Sequence, residues 1–466
     1  MKILTIGSGG REHAIVWRLS QDPEGHELYA APGNPGMPAT CVNIGVEDID
    51  GIVKWCKENT PDMVVVGPEA PLVKGLVDAL QGGASGVRGA PVLPAVFGPC
   101  AAGARMEGSK RFAKEVMAAA GVPTGAAKTF TEPKAAKEYA ATLGAPVVVK
   151  ADGLAAGKGV VVAMTLEEAN AAIDDMLVDN KFGAAGAEVL IEEFLDGEEC
   201  SILAMVDGEH AVLLPSSQDH KRVFDGDKGP NTGGMGAYSP APVVTDEMLP
   251  EIKEKIILPV VRELKKRGIT YRGILYAGLM ITKSPQQKVP SSGSRINVVE
   301  FNARFGDPET EAVLPRLGGS FATALYHAAT GCLKDEDIVV KDEVAATVIC
   351  ASEGYPGSYA KGKVIEGLGL EANPAGKSTR SPVEDTIVFQ CGTKKVGDDL
   401  VTNGGRVLSV TGMGGTLREA VDNVYARVKT ISFEGMFYRK DIAHRAFGRG
   451  QPPSPGFGVP RECPLS

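Results

Sequence analysis

The 466-residue chain has no apolar run of the roughly 18 residues that would suggest a membrane span. Basic charge is also short. Lysine and arginine number 49 against 58 aspartates and glutamates, a net charge of −9. Such a field repels phosphate polymers, so a nucleic-acid-coating role is excluded and any anion site has to be built locally. The eight cysteines form no CxxC pair; they read as structural thiols in a reducing compartment, not as metal ligands. No Ser/His/Asp or Cys/His nucleophile pattern is present, which leaves covalent acyl transfer without a side-chain carrier. No leader-like segment precedes the strand that begins at residue 2. The expected location is therefore the cytoplasm, or an organelle stroma or matrix had a targeting peptide been removed.

What remains is ordinary globular material, 43% hydrophobic and 23% charged, long enough for two to four packed units. Over the first hundred residues, short apolar runs at 3–6, 27–31 and 63–66 alternate with helical stretches at 11–20 and 49–59, which predicts an α/β, doubly wound parallel sheet. Its runs end in Gly7-Ser8-Gly9-Gly10, Ala31-Pro32-Gly33-Asn34 and Gly67-Pro68-Glu69-Ala70-Pro71. These are carboxyl ends of strands, where such sheets bind ligands. A helix is expected from 108 to 120 and another near 248–267, with strands around 201–206, 274–281 and 296–301. Stretches 82–94 and 284–294 read as surface loops, and 448–466 as a disordered tail.

The turn at Gly9 and Gly10 can hold a phosphate or carboxylate on backbone N–H groups, or it simply turns the chain. A dinucleotide fingerprint is disfavoured, because Glu12 stands where its last glycine belongs. Val147-Val148-Val149-Lys150-Ala151-Asp152-Gly153-Leu154-Ala155-Ala156-Gly157-Lys158-Gly159-Val160 reads as strand, glycine loop, strand. That order is not a Walker loop. It is a hairpin flap able to close over phosphate oxygens, with Lys150 neutralising charge, or else a flexible glycine hairpin with solvated lysines. The run Glu192-Glu193-Phe194-Leu195 leaves a strand, offering backbone groups to an adenine edge; the following Glu199 could take ribose hydroxyl protons, or the segment is a solvated acidic turn.

Asn297-Val298-Val299-Glu300-Phe301-Asn302-Ala303-Arg304 carries the sharpest chemistry. Strand alternation puts Glu300 and Asn302 on one face, with Val299, Phe301 and Ala303 toward the core. A carboxylate and an amide at i, i+2 suit a magnesium ion completed by nucleotide phosphates; the alternative is a solvated edge strand. A second acid for the metal stays open, since 276–280 holds none. Asp219, Lys221 and the glycine loop containing Gly234 offer groups to an anionic substrate, and His220 is either a base or a hydrogen-bond donor.

In this order, GSGGREHA, APGNPG, VVGPEAPLV, MEGSK, VVVKADGLAAGKGVVVA, EEFLDGEE, QDHKR, GPNTGGMGAYSPAP, YAGLMIT, EFNARFGDPET, GYPG and FYRKDI resemble the glycinamide ribonucleotide synthetases of the ATP-grasp superfamily. MEGSK departs from the family's LEGSK. The resemblance covers about residues 1–447. It implies an N-terminal doubly wound domain (1–105), an ATP-grasp central domain (106–330) with an inserted flap at about 125–190, and a C-terminal α+β domain (331–447). It further implies ATP-dependent ligation of glycine to 5-phosphoribosylamine in purine biosynthesis, with Mg2+ or Mn2+, by a monomer. Carried over, Lys110, Lys150, Gly153, Gly157, Gly159, Glu192, Glu193, Phe194, Leu195 and Glu199 are nucleotide positions, and Glu300 and Asn302 hold the metal. Gly9, Gly10, Glu69, Asp219, Lys221, Gly234 and Arg304 lie on the substrate side, with Lys150, Arg304 and Asp219 nearest the chemistry. An ATP-grasp ligase for another amine or acid, and a nucleotide sensor without catalysis, are the rival readings.

Overall fold

The computed structural model describes residues 1–82, 94–153, 159–179, 181, 183–282, 295–369 and 385–448. Most of the loops at 82–94 and 284–294, nearly all of the tail and Gly157 lie outside the described residues.

Runs rich in Val, Ile and Leu, buried on both faces, build a five-stranded parallel sheet. Its spatial order is Thr40–Cys41, Glu27–Pro32, Lys2–Gly7, Met63–Val66, Ala95–Phe97. Chain order reverses beside Lys2–Gly7, so the turns after Lys2–Gly7 and Met63–Val66 flank the crevice where such sheets receive ligands.

The second sheet is antiparallel: Ala211–Leu213, Glu198–Asp207, Arg272–Ile281 and Ile296–Asn302. One face packs on the helices Lys110–Ala120 and Leu258–Lys266, and the other on Phe321–Thr330. The helix expected from 108 to 120 begins two residues later. Ser109 is extended, and its hydroxyl accepts the Phe112 N–H, so Ala101–Gly108 and Lys110–Ala120 are separate helices. The helix expected at 248–267 is likewise interrupted, by a π turn at Lys253–Ile257. Pro259 has no N–H to donate and forces the neighbouring bonds to shift, with Leu258 N reaching the Lys253 carbonyl.

Ala127–Phe130, Val189–Glu193, Val147–Ala151 and Val160–Ala163 form a third, antiparallel sheet backed by Pro133–Leu143 and Leu166–Leu177. The strands flanking the glycine-rich run thus pair as a hairpin, with Lys150 on the first of them. Asp152 at the hairpin's base accepts the Arg111 N–H at 2.6 Å and the Ser109 hydroxyl at 3.0 Å, tying it to the start of the Lys110–Ala120 helix.

The last sheet joins Val344–Ser352, Arg406–Gly414 and Thr386–Gln390 to two short strands from earlier in the chain, Gln218–Asp219 and Gly236–Ser239, with Met436–Phe437 pairing on Val344–Ser352. The QDHKR and GPNTGGMGAYSP segments thus each give one short strand to this sheet, while Arg222–Phe224 and Lys228–Asn231 pair separately. Among the described residues no helix is long and apolar enough to cross a membrane.

Candidate active-site cleft

The third sheet, the second sheet and the short strand Gln218–Asp219 enclose a cleft of about 1450 Å³. Glu300 and Asn302 face into it from the last strand of the second sheet. The pairing slips by one residue there: Gly278 faces Glu300, whereas Leu279 faces Val298. This bulge corrects one expectation. Phe301 and Ala303 are buried as alternation requires, but Val299 also lines the cleft, its carbonyl accepting Lys150 Nζ at 3.2 Å. Gly278 makes the room, since a Cβ there would lie 3.3 Å from Glu300 Cγ.

Burial works against a charged Glu300, yet Lys221, Lys150, Lys110 and Arg304 together hold its carboxyl below the usual range. Lys221 lies 3.9 Å from Glu300 and makes its closer ion pair with Glu199. Lys110 donates to the carbonyls of Gly153 (3.1 Å) and Asp152 (3.4 Å), and burial pulls its pKa down. It is paired with carbonyls and not carboxylates, so its charge is available to an anion. Glu192 is buried between Lys114 and Lys150, with Lys150 Nζ 2.5 Å from Oε2. Beyond it Glu193, Phe194 and Leu195 run along the cleft wall.

The far end is acidic and guanidinium-rich. Arg304 pairs with Glu107 at 2.9 Å and with Glu69 at 3.4 Å. Asp219 is buried, and burial, with Glu309 and Glu199 nearby, pushes its carboxyl up to about 7 although Lys221 opposes the rise. An acid raised in the folded state binds its proton more tightly there than when unfolded, so its contribution to stability declines as pH rises from about 4 to about 7. Asp219→Asn is expected to shrink the drop in urea midpoint between pH 5 and pH 8; an unchanged drop would show that Asp219 does not carry it.

Other expected positions lie elsewhere. Gly9 and Gly10 are outside the cleft lining: the Glu12 carboxylate folds back to accept the Gly9 N–H at 2.8 Å, and Gly10 packs against Glu311 and Cys391 with no space for a Cβ. The turn's donor is thus satisfied by the side chain that breaks the dinucleotide fingerprint. Gly234, at φ +111°, packs on Pro308 one layer behind the cleft. His220 is fully buried; its Nε2 accepts the Ala443 N–H at 3.0 Å and burial lowers its pKa to about 4. That nitrogen is an acceptor already in use, not a free base.

Sequence reasoning passed over Lys114, Glu107 and Arg406. Lys114 stands one helical turn after Lys110 and so shares its face, a spacing that could have flagged it. Glu107 sits inside MEGSK. Arg406 pairs with Asp307 at 3.0 Å, a partner 99 residues away that no local pattern reveals.

A β-hairpin carrying Lys150 beside Lys110, with a carboxylate–amide pair on the neighbouring sheet in the same cleft, has the architecture of an ATP-grasp ligase. Models of the phosphoribosylglycinamide synthetase N domain, ATP-grasp (A) domain and C domain match residues 1–107, 108–310 and 345–445. The phosphoribosylamine–glycine ligase of Rhizobium meliloti (strain 1021) is 49% identical over 452 residues, 96% of this chain and 99% of the relative. That of Escherichia coli (strain K12) is 48% identical over 456 residues, 97% of this chain and all of the relative. The crystal structure of the Thermotoga maritima phosphoribosylamine–glycine ligase superposes with a TM-score of 0.78 at 32% identity, covering 95% of this chain and 100% of that one. A Hydrogenobacter thermophilus biotin carboxylase domain in complex with MgADP shares the fold, with a TM-score of 0.67 at 17% identity over 94% and 91% of the two chains. The chain belongs to the phosphoribosylglycinamide synthetase family, ligases that join glycine to phosphoribosylamine at the expense of ATP in purine biosynthesis.

Proposed function

We propose that this cleft activates glycine as glycyl phosphate and passes the glycyl group to the amine of 5-phosphoribosylamine. A carboxylate resists amines because oxide is a poor leaving group, and phosphorylation removes that obstacle. Glycine's carboxylate oxygen attacks the γ-phosphorus in line and ADP departs; the amine nitrogen then attacks the acyl carbon and phosphate departs. No enzyme nucleophile is required.

In this reading the edge from Glu192 to Leu195 receives adenine, Glu199 the ribose, and Lys110, Lys150 and the hairpin at Gly153, Gly157 and Gly159 the phosphates. Glu300 and Asn302 fit a divalent ion: both present hard oxygen donors on one strand, and Glu300 is held charged. Mg2+ or Mn2+ bound there would draw charge from phosphate oxygens. Arg304, Asp219, Lys221 and Glu69 orient glycine and the acceptor, with Gly9, Gly10 and Gly234 shaping that end from behind. The unit at about 125–190 closes as a lid, keeping water from the acyl phosphate.

The observation that carries this reading is the convergence of Lys110, Lys150 and Lys221 on Glu300 at the bulged strand. Oxygen-18 in glycine's carboxylate is the test. One labelled oxygen should leave in the released phosphate, because the bond broken in the second step joins it to the acyl carbon. Product formed with unlabelled phosphate would sink the acyl-phosphate route and favour ATP hydrolysis coupled only to a conformational change.

A further inference from the structure

Two lysines share a single buried carboxylate at the hinge of the lid. Lys114, on the helix Lys110–Ala120, and Lys150, on the hairpin, each pair with one oxygen of Glu192, and all three side chains are at most 13% exposed. The next carboxylate, Glu193, reaches instead to the Ala126 N–H at 3.2 Å. Within the trio two ammonium groups share one carboxylate, while Glu193 adds its field at Lys114 from outside it. Lys114 has further partners at the hinge: its Nζ donates to Thr124 Oγ1 at 2.6 Å and to the Gly125 carbonyl at 3.3 Å. Among the described residues Lys150 pairs with Glu192 and donates to the Val299 carbonyl, with neither Thr124 nor Gly125 holding it.

The two lysines are therefore not equivalent. Lys114 is fixed by the chain entering the lid, whereas Lys150 faces the space beneath the hairpin. An arriving polyphosphate can draw Lys150 away from Glu192 only if the buried carboxylate stays compensated, and Lys114 is the group that can do this. We infer that Lys114 is a positioning residue for the nucleotide: it retains the charge of Glu192 and so releases Lys150 to the phosphates. The inference rests on the reading of the cleft as the ATP site. Without Lys114, Glu192 and Lys150 would neutralise each other one to one, and phosphate would have to compete with a buried carboxylate for its lysine.

Calorimetric titration of the full chain with a non-hydrolysable ATP analogue and Mg2+ tests this. Lys114→Gln, which retains a hydrogen-bond donor for Thr124 but not the charge, should weaken Kd about 30-fold, the low end of what losing one partner of a buried charged pair costs. Lys114→Met should weaken it at least as much. Adding Glu192→Gln to Lys114→Met restores the trio's net charge and should recover most of the lost affinity. A merely structural anchor predicts the opposite: Lys114→Gln binding like the wild type, and no recovery in the double variant, because the contacts to Thr124 and Gly125 stay lost. Either result overturns the inference. Failure of the wild-type chain to bind the analogue would instead remove the nucleotide reading itself, and this inference with it.

Discussion

Glu300→Gln is expected to leave a folded protein whose ligase turnover has fallen on the order of 100-fold or more, even at saturating magnesium. The amide keeps the shape of the side chain and its place beside Gly278, so the bulged register of the strand survives. What disappears is the one carboxylate on which Lys221, Lys150 and Lys110 converge. Two consequences separate charge from packing. The thermal midpoint should fall only modestly, because no well-packed apolar contact is lost and the one-third exposure of Glu300 screens the charge interactions it gives up. Nucleotide affinity measured without divalent metal should hold or improve, since the same three lysines then face phosphate with one competing anion fewer. Steady-state kinetics across a magnesium series check the first claim and metal-free titration the second. Near-normal turnover at saturating magnesium would remove Glu300 from the metal assignment.

The residues behind that prediction differ in how openly the sequence shows them. That Glu300 and Asn302 share the cleft face was legible because strand side chains alternate. Val299 was not, since a bulge arises from pairing with another strand, and its clue, Gly278, lies 21 residues earlier. The parallel sheet was readable from its continuous apolar runs. The C-terminal sheet was only partly so: Gln218–Asp219 and Gly236–Ser239 are too short to show alternation, and Gly236–Ser239 joins the sheet through Ala345 to Val348, more than 100 residues away. The turn at Gly9 gave two readings, and a side chain three residues on chose between them by filling it. Ion pairs such as Lys114 with Glu192 escaped because charge in a sequence carries no address; only the fold brings the lid's hinge against the Lys110–Ala120 helix.

Arg304→Met should cost about 3 kcal/mol of stability, the low end for breaking a buried ion pair because Arg304 keeps 18% exposure. Its guanidinium lies between Glu107 and Glu69, two acids from different parts of the chain. Burial already pushes the Glu107 carboxyl above its ordinary range despite Arg304, and Glu69 adds to the rise. Methionine fills much of the same space but leaves the two carboxylates with only the more distant Arg11, 3.9 Å from Glu69, to offset them. Glu107 then has only one inexpensive response, which is to take up a proton. A folded-state acid with a raised pKa costs stability as pH rises above its unfolded value, so the deficit of Arg304→Met should be small near pH 5 and large near pH 8. Adding Glu107→Gln removes one of the opposed charges and should recover part of the loss at pH 8 while changing little at pH 5. Urea midpoints for the wild type and the two variants at both pH values supply the comparison. A deficit that is constant with pH and unrelieved by Glu107→Gln would mean that Arg304 stabilises the junction through packing of its stem rather than by holding two acids together.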